Sequence, residues 1–328
     1  MKKILTRILT GFFLTGALLF SACKSDTGDP KFHVYIAFGQ SNMQGPGAIE
    51  DEDRANVTDR FKILNVIADT YAGESRAKSQ WYTAAPPLII PDSGLTNWQG
   101  IPIGLSPVGN FGWTLTQSPR VPADLTIGVI AVANGDLGLA SFSKDNAIVQ
   151  GYYNSSASDT VKQGINRYKA YSTGGNGYDG LYQAIVRNAK LAQETGVIKG
   201  IIVHQGESGI ANSGTIDGFT WGTMFKAIYD DLLADLGLPA NSIPIIAGQT
   251  YGGQENTSIG GAGRTDGALA SEEALRTATG LPNVHLISSA GLPGRTNLQG
   301  GYDYTHFSAA GIRGLGLNYA NKMIELVY

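Results

Sequence analysis

The sequence predicts an α/β fold in which helices cover both faces of a parallel β-sheet. Short aliphatic runs alternate along the chain with longer amphipathic segments, and connections of this length allow crossovers between parallel strands. The run at residues 125–133 is almost continuously apolar, which indicates a strand that is buried on both faces. Ligands of such a sheet bind beyond the carboxyl ends of its strands.

Composition favours one large globular domain with many loops. The 328 residues are 42% hydrophobic and 16% charged, which is enough to supply the core of one large domain. A net charge of -3 without blocks of Lys or Arg gives no electrostatic footprint for nucleic acid, so no such partner is expected. The 44 glycines fall in clusters without a fixed period, which indicates loops and excludes collagen-like order.

The N-terminus predicts an export signal that ends at Cys23. Lys2, Lys3 and Arg7 precede an apolar run at residues 8–20, and small residues follow. This order of charged, apolar and small zones is typical of a secretory signal, and the run is too short for a stable spanning helix. Cys23 is the only cysteine, and its position resembles the lipobox of bacterial lipoproteins. The alternative is an ordinary cleaved signal with an incidental cysteine.

This interpretation divides the chain into three parts. Residues 1–23 are the lipoprotein-type signal, residues 24–31 a short polar tether, and residues 32–328 the folded domain. We expect an exported protein that is lipid-anchored to the bacterial cell envelope, at the outer membrane or cell surface, and otherwise periplasmic or secreted. The anchor would be its only membrane contact. The sequence leaves the oligomeric state open.

The first half of the domain predicts three strands and one long loop. Strands are expected at residues 32–38, 61–66 and 125–133, because β-branched, aromatic and aliphatic residues dominate there. Residues 68–122 have no long periodicity and combine prolines with aromatic residues. So long an irregular segment is usually a functional loop. Its aromatic rings suit either a platform for sugar rings or packing of the loop onto the domain.

The second half predicts alternating helices and strands. Apolar residues three or four positions apart predict four helices, at residues 180–196, 219–236, 268–278 and 309–327. Gly196 and Gly237 suit helix ends, and Ser308 suits an N-cap. Short aliphatic runs predict strands at residues 197–203, 243–247 and 284–287.

Ser41 follows the first predicted strand, which stops at Gly39. A side chain at the carboxyl end of a parallel strand can meet a ligand, so Ser41 is a candidate nucleophile. A serine at this position is equally suited to be a helix N-cap. The runs that end in Asn134-Gly135 and in His204-Gln205-Gly206-Glu207 would bring their turns to the same crevice.

A carboxylate and a histidine occur together near the C-terminus. Asp303 precedes His306 by three residues, just before a helix start. A carboxylate at this spacing can accept from the ring Nδ1-H, which frees Nε2 to take a proton from a serine. A solvated pair in a loop is the alternative. The chain lacks the Gly-x-Ser-x-Gly elbow of α/β-hydrolases.

At this point the chain resembles the SGNH hydrolases and, more narrowly, carbohydrate esterase family six, the acetyl xylan esterases and their sialate O-acetylesterase relatives. The resemblance covers residues 34–319. It rests on five motifs in the family's order: Gly39-Gln40-Ser41-Asn42-Met43, the segment from Gly94-Leu95 to Phe111-Gly112, Ile127-Gly128-Val129-Ile130-Ala131-Val132, His204-Gln205-Gly206-Glu207-Ser208 and Asp303-Tyr304-Thr305-His306-Phe307. The fold that it implies is a flavodoxin-like three-layer α/β/α sandwich.

The resemblance also implies roles for single residues. Ser41 would be the nucleophile, His306 the base and Asp303 the acid that orients it. Glu207 is the alternative acid, because in some members of the family the glutamate of this motif pairs with the histidine. The oxyanion would be held by the Ser41 amide, the Gly135 amide and the Gln205 side chain.

One position departs from the family's pattern. Relatives usually carry a glycine pair where this chain has Gly135-Asp136. A bulky Asp136 is expected to tilt the Gly135 amide or to place negative charge near the oxyanion. Either effect would slow the reaction.

The resulting hypothesis is a serine esterase that removes O-acetyl groups from polysaccharide, with acetylated xylan as the first expectation, through an acyl-enzyme on Ser41. Sialate or another carbohydrate O-acetyl ester is the alternative substrate. A catalytically impaired carbohydrate-binding lipoprotein, suggested by Asp136, is the alternative from another class. We expect no cofactor, because acyl transfer through a serine needs none. We expect no metal, because the spacing of His33, His204 and His285 matches no metal site.

Overall fold

The computed structural model describes residues 31–97, 99–173, 177–208, 218–251, 271–296 and 302–328. The predicted signal, with Cys23, and residues 24–30 of the predicted tether lie outside these ranges. Within the described ranges, no helix has both the length and the apolar character that crossing a bilayer requires.

The strands form one large sheet and two small ones. In chain order they are β1 (Phe32–Gly39), β2 (Phe61–Asn65), β3 (Asp69–Tyr71), β4 (Glu74–Arg76), β5 (Gln80–Thr83), β6 (Thr126–Ala133), β7 (Val197–His204), β8 (Ile245–Gly248), β9 (Val284–Ile287), β10 (Gly294–Thr296) and β11 (Tyr302–Phe307). The large sheet has the order β5-β2-β6-β1-β7-β8-β9. Its neighbours are parallel, except that β5 runs antiparallel to β2 at one edge. The small sheets pair β3 with β4 and β10 with β11.

Helices cover both faces of the large sheet. They are α1 (Ser41–Gln44), α2 (Asp51–Ala55), α3 (Pro107–Gln117), α4 (Asn146–Ser155), α5 (Asp159–Arg167), α6 (Gly180–Gln193), α7 (Gly218–Leu236), α8 (Glu272–Thr279) and α9 (Ala309–Val327). Buried side chains of α4, α5, α6, α7 and α8 share one apolar cluster, and those of α3 and α9 share the other. The predicted α/β fold with helices on both faces is confirmed.

The first strand lies at the centre of the sheet, between β6 and β7. Its side chains alternate between the two apolar clusters, because successive residues of a strand point to opposite faces. Val34, Ile36 and Phe38 belong to the cluster of α6 and α7, whereas Tyr35 and Ala37 belong to that of α3 and α9. A strand buried on both faces has no room for polar alternation, which explains its mostly apolar sequence.

The segment predicted as one long irregular loop contains β3, β4, β5 and α3, so that prediction is wrong in these stretches. Helix α3 has an ordinary start, since the Oγ of Ser106 accepts from the amide of Val108 at 3.2 Å and Pro107 takes the first helical position. Glycines inside α3 obscure its pattern in the sequence. Gly112 is required by packing, because a Cβ there would lie 2.1 Å from the ring of Phe61 on β2.

Candidate active site

The site lies at the carboxyl ends of the three central strands. Gly39, at the end of β1, pairs with Ala133 of β6 on one side and with His204 of β7 on the other. The backbones approach so closely here that a Cβ on Gly39 would lie 2.0 Å from the carbonyl oxygen of His204, and the φ of Gly39 is +155°. Only glycine fits this position.

Ser41 is the first residue of α1, directly after the N-cap residue Gln40. The alternative interpretation of Ser41 as the N-cap is therefore wrong. The carbonyl of Gln40 accepts from the amides of Met43 at 3.0 Å and Gln44 at 2.8 Å. The Ser41 amide is the first of the helix, so no carbonyl of a preceding helical turn is available to it. The Oγ of Ser41 lies 2.9 Å from Nε2 of His306.

His306 lies on β11, between Ser41 and Asp303. Its Nδ1 donates to Asp303, with distances of 2.9 Å to Oδ2 and 3.1 Å to Oδ1, which leaves Nε2 to accept from the Ser41 hydroxyl. The Asp303 Oδ1 also accepts from the backbone amides of Thr305 at 3.0 Å and His306 at 3.1 Å. The structure thus brings together the serine, histidine and aspartate that the sequence singled out.

Arg295 on β10 is a site residue that sequence reasoning missed. Its Nε and Nη2 donate to Oδ2 of Asp303 at 3.0 Å and 2.5 Å, and its Nη1 donates to the carbonyl of Pro46 at 3.1 Å. Burial raises the pKa of Asp303, but the hydrogen bond and charge of His306, with the hydrogen bond from Arg295, hold that pKa well below its usual range. Asp303 is therefore ionised beside the histidine.

Glu207 has other partners than the catalytic histidine candidate. Its side chain is 4% exposed, and its Oε1 lies 3.3 Å from Nε2 of His204 and accepts from Nδ2 of Asn42 at 2.6 Å. Burial raises the pKa of Glu207, but the charge and hydrogen bond of His204 and the hydrogen bond of Asn42 outweigh it, so the pKa is lowered. The structure puts Asp303, rather than the alternative acid Glu207, beside His306.

Asn42 links the turn that carries Ser41 to the strand that carries His306. The Asn42 side chain is fully buried. Its Nδ2 donates to the carbonyl of Thr305 at 2.9 Å, and its Oδ1 accepts from the amide of Phe307 at 3.2 Å. Both chain neighbours of His306 are therefore bonded to the residue after Ser41.

Gly135 lies next to Ser41 but its amide is engaged. A Cβ built on Gly135 would lie 3.9 Å from the Cβ of Ser41, which places the turn after β6 beside the serine. The Gly135 amide donates to Oε1 of Gln44 at 2.8 Å. Sequence reasoning did not assign a role to Gln44.

Gln205 is buried, and its carboxamide contacts other buried groups. Its Oε1 accepts from Nε1 of Trp221 at 2.6 Å, and its Nε2 lies 3.4 Å from Oε1 of Gln40 and 3.3 Å from the carbonyl oxygen of Leu137. Both amide protons of Gln205 thus face acceptors within the protein. This arrangement does not support the oxyanion role that the resemblance implies for Gln205.

The carboxylate of Asp136 has its hydrogen-bond partner at the start of a neighbouring helix. The φ of Asp136 is +60°, in the left-handed region, and its Oδ2 accepts from Oγ of Ser158 at 3.4 Å. Ser158 is the N-cap of α5, where the helix dipole favours a negative charge. The carboxylate of Asp136 is thus bonded at the start of α5, and the tilt of the Gly135 amide stays a prediction.

The remaining histidines contact other side chains. The Nδ1 of His33 lies 2.8 Å from the hydroxyl oxygen of Tyr328, and the Nδ1 of His285 lies 3.3 Å from Oε1 of Glu272. In the part of the chain that the structure describes, no group of three or more His, Cys, Asp or Glu side chains could hold a metal ion.

Comparison with known families gives a match over most of the chain. The family model described as "SASA: Carbohydrate esterase, sialic acid-specific acetylesterase" matches residues 31–325. The motifs at Ser41, Glu207 and His306 all fall inside the matched region.

Solved structures share the fold at low sequence identity. A protein from Arabidopsis thaliana has 20% identity and a TM-score of 0.56, covering 91% of this chain and 100% of its own. NanS has 17% identity and a TM-score of 0.56, covering 91% of this chain and 98% of its own. A carbohydrate acetylesterase from Xanthomonas citri has 16% identity and a TM-score of 0.51, covering 90% of this chain and 56% of its own.

Proposed function

Because the chain belongs to the SASA family of carbohydrate esterases, we propose that it is a serine esterase that removes O-acetyl groups from carbohydrates through an acyl-enzyme on Ser41. The observation that carries the proposal is the continuous series from Ser41 Oγ to His306 Nε2 at 2.9 Å and from His306 Nδ1 to Asp303 Oδ2 at 2.9 Å. A hydroxyl, an imidazole and an ionised carboxylate in this order are what activation of a serine requires.

Acylation would begin when the Ser41 Oγ attacks the acetyl carbonyl carbon while Nε2 of His306 takes the hydroxyl proton. Asp303 would stabilise the imidazolium that forms, and Arg295 would keep Asp303 in place. The tetrahedral intermediate then collapses, and the sugar oxygen leaves with the proton from His306. The product is a free sugar hydroxyl and an acetyl ester on Ser41.

Deacylation would use the same groups in reverse. A water molecule loses a proton to Nε2 of His306 and attacks the acetyl carbon. Collapse of the second intermediate breaks the bond to Ser41 Oγ, which recovers its proton from His306, and acetate leaves. No redox step and no cofactor is needed for this balance.

The oxyanion in both steps would be held by backbone amides. The Ser41 amide stands at the start of α1, where no carbonyl of a preceding helical turn is available to it. The Gly135 amide lies beside Ser41 and would be the second donor. Each donor of this kind typically lowers the barrier by about 3 kcal/mol.

The sugar partner has two candidates. Acetylated xylan is the first, from the motif resemblance to acetyl xylan esterases. O-acetylated sialic acid is the second, and it is favoured by the description of the matching family. A substrate panel with acetate detection separates the two, because each substrate releases the same product at a rate set by recognition of its sugar.

The test of the reaction is a single substitution with a matched control. Ser41→Ala should abolish acetate release from acetylated xylan, O-acetylated sialic acid and an activated acetyl ester, with the melting temperature unchanged. Ser75→Ala, at an exposed position of β4, should behave as wild type. Retained turnover in Ser41→Ala would refute the proposal. Labelling of wild type by a serine-directed phosphonate would exclude a catalytically inert binding lipoprotein.

The proposal extends to location. The signal-like N-terminus with its single cysteine supports an exported protein that is anchored to the cell envelope through a lipid on Cys23. Cys23→Ser should move the protein from the membrane fraction to the soluble fraction. Recovery of the wild-type protein in the soluble fraction would contradict the anchor.

A further inference from the structure

The side-chain oxygen of Gln44 is hydrogen-bonded to the Gly135 amide, which the proposed reaction needs as a donor. Gln44 is the last residue of α1, and its half-buried side chain reaches across to the turn after β6. Its Oε1 accepts from the Gly135 amide at 2.8 Å, and its Nε2 lies 3.5 Å from Oδ1 of Asn134. A Cβ built on Gly135 would lie 3.6 Å from Oε1 of Gln44 and 3.9 Å from the Cβ of Ser41.

A backbone amide has one proton and makes one strong hydrogen bond. At 2.8 Å the bond to Gln44 has the length of a good N–H···O bond. The Gly135 amide can therefore donate a full-strength hydrogen bond to Gln44 or to a substrate oxygen, but not to both. Gln44 and the oxyanion are competitors for the same donor.

We propose that Gln44 is a displaceable acceptor, which holds the Gly135 amide in the free enzyme and yields it to the oxyanion as the tetrahedral intermediate forms. The proposal rests on the proposed esterase function. A neutral ester carbonyl accepts a hydrogen bond no more strongly than the Gln44 carboxamide does. Replacing Gln44 by the substrate carbonyl therefore gains little free energy. An oxyanion accepts a much stronger, charge-assisted bond, so the exchange becomes favourable as charge develops.

This exchange has a measurable consequence. The wild-type transition state gains the Gly135 donor only after the Gln44 bond is lost. An ordinary neutral hydrogen bond changes an equilibrium by about fivefold. Removal of the competing acceptor should therefore accelerate acylation by about that factor, whereas a stronger acceptor at position 44 should slow it.

A different role for Gln44 gives the opposite result. If Gln44 acted as a brace that holds the Gly135 turn in its catalytic position, its loss would let the turn shift. Turnover would then fall in any variant without the carboxamide. The sign of the change therefore separates the two roles.

The experiment compares Gln44→Met, which keeps the length of the side chain without its acceptor oxygen, with Gln44→Glu, whose carboxylate accepts more strongly and adds negative charge near the oxyanion. Gln117→Met, at the exposed end of α3, is the matched control. The readouts on the full chain are kcat/KM for an activated acetyl ester, the rate of phosphonate labelling and the melting temperature.

We expect Gln44→Met to raise kcat/KM and the labelling rate by about fivefold, and Gln44→Glu to lower both by at least about tenfold. Gln117→Met should match wild type. If hydrolysis is unchanged or slower in Gln44→Met, or unchanged in Gln44→Glu, the proposal that Gln44 is a displaceable acceptor is refuted. The esterase function would still stand in that case. A wild-type protein that neither hydrolyses an acetyl ester nor reacts with the phosphonate refutes the esterase function, and the role of Gln44 with it.

Discussion

Asn42 donates a 2.6 Å hydrogen bond from Nδ2 to Oε1 of the buried Glu207, and the same nitrogen donates to the carbonyl of Thr305 at 2.9 Å. The Glu207 carboxylate thus contacts Asn42, which is the residue after the serine. Asp303 is the carboxylate in contact with His306. The two acids that the sequence could not separate therefore have different partners and different expected effects.

The first prediction separates these acids. Asp303→Asn should lower kcat by about 10⁴-fold, because an amide cannot stabilise the imidazolium or hold its tautomer. Glu207→Gln should lower kcat by less than about 100-fold, since a Gln oxygen can still accept from Nδ2 of Asn42. Steady-state kinetics on an activated acetyl ester measures both. A collapse in Glu207→Gln together with near wild-type Asp303→Asn would reverse the assignment.

The second prediction concerns Asn42 itself. Asn42→Ala removes three hydrogen bonds and takes a donor from the buried Glu207, so the free energy of unfolding should fall by about 3 kcal/mol. kcat should fall by at least about tenfold, because a 1 Å displacement of a catalytic group is enough for such losses, while KM stays similar. Urea unfolding and kinetics check both values. Asn166→Ala, at an exposed position of α5, is the control, and equal behaviour of the two variants would contradict the prediction.

The third prediction follows from the lowered pKa of Asp303. The folded-state pKa lies below the unfolded value of about 3.9, so the ionised carboxylate contributes stability that is fully present above that value. This contribution is lost as the pH falls towards the folded pKa. The free energy of unfolding of wild type should therefore decline more steeply below about pH 4 than that of Asp303→Asn. Urea unfolding of both proteins at several pH values from 7 to 3 measures these free energies. The same pH dependence in wild type and Asp303→Asn would contradict the prediction.

The fourth prediction concerns Asp136. Its carboxylate accepts from Ser158 at the start of α5, so we expect Asp136→Asn to change kcat by less than about twofold, the scale of an exposed charge. Asp136→Val should destabilise the fold by about 2 kcal/mol, because a β-branched residue is strained at a φ of +60°. Kinetics of the first variant and urea unfolding of the second give the answer. A large gain in kcat for Asp136→Asn would mean that the charge does reach the oxyanion.

The central strands could be predicted because their burial is visible in local composition. β1, β6 and β7 are each buried over most of their length, and the aliphatic runs mark them directly. α3 was missed because its glycines break the apolar spacing, and Gly112 is required by its contact with the ring of Phe61 on β2. The hairpin of β10 and β11 was missed because β10 has only three residues, Gly294–Thr296, which are too few to carry a strand pattern.

Residues whose role depends on a contact made only in the folded chain could not be assigned from the sequence. A serine after a strand end and an Asp-x-x-His motif carry a recognisable pattern, and the structure brings their side chains within 2.9 Å of each other. Arg295 and Gln44 carry none, because their roles depend on contacts with Asp303 and Gly135 that only the folded chain creates. Glu207 was ambiguous for the same reason, since its motif does not say which side chain faces it.

The direction of β1 has a consequence for how the enzyme would meet a large substrate. The strand starts at Phe32, next to the proposed tether, and ends at Gly39, two residues before Ser41. Eight extended residues span roughly 25 Å. If the protein is anchored through Cys23 as proposed, Ser41 lies at the end of β1 opposite to the end that the tether joins, and lengthening the tether should leave access of a polymer to Ser41 unchanged.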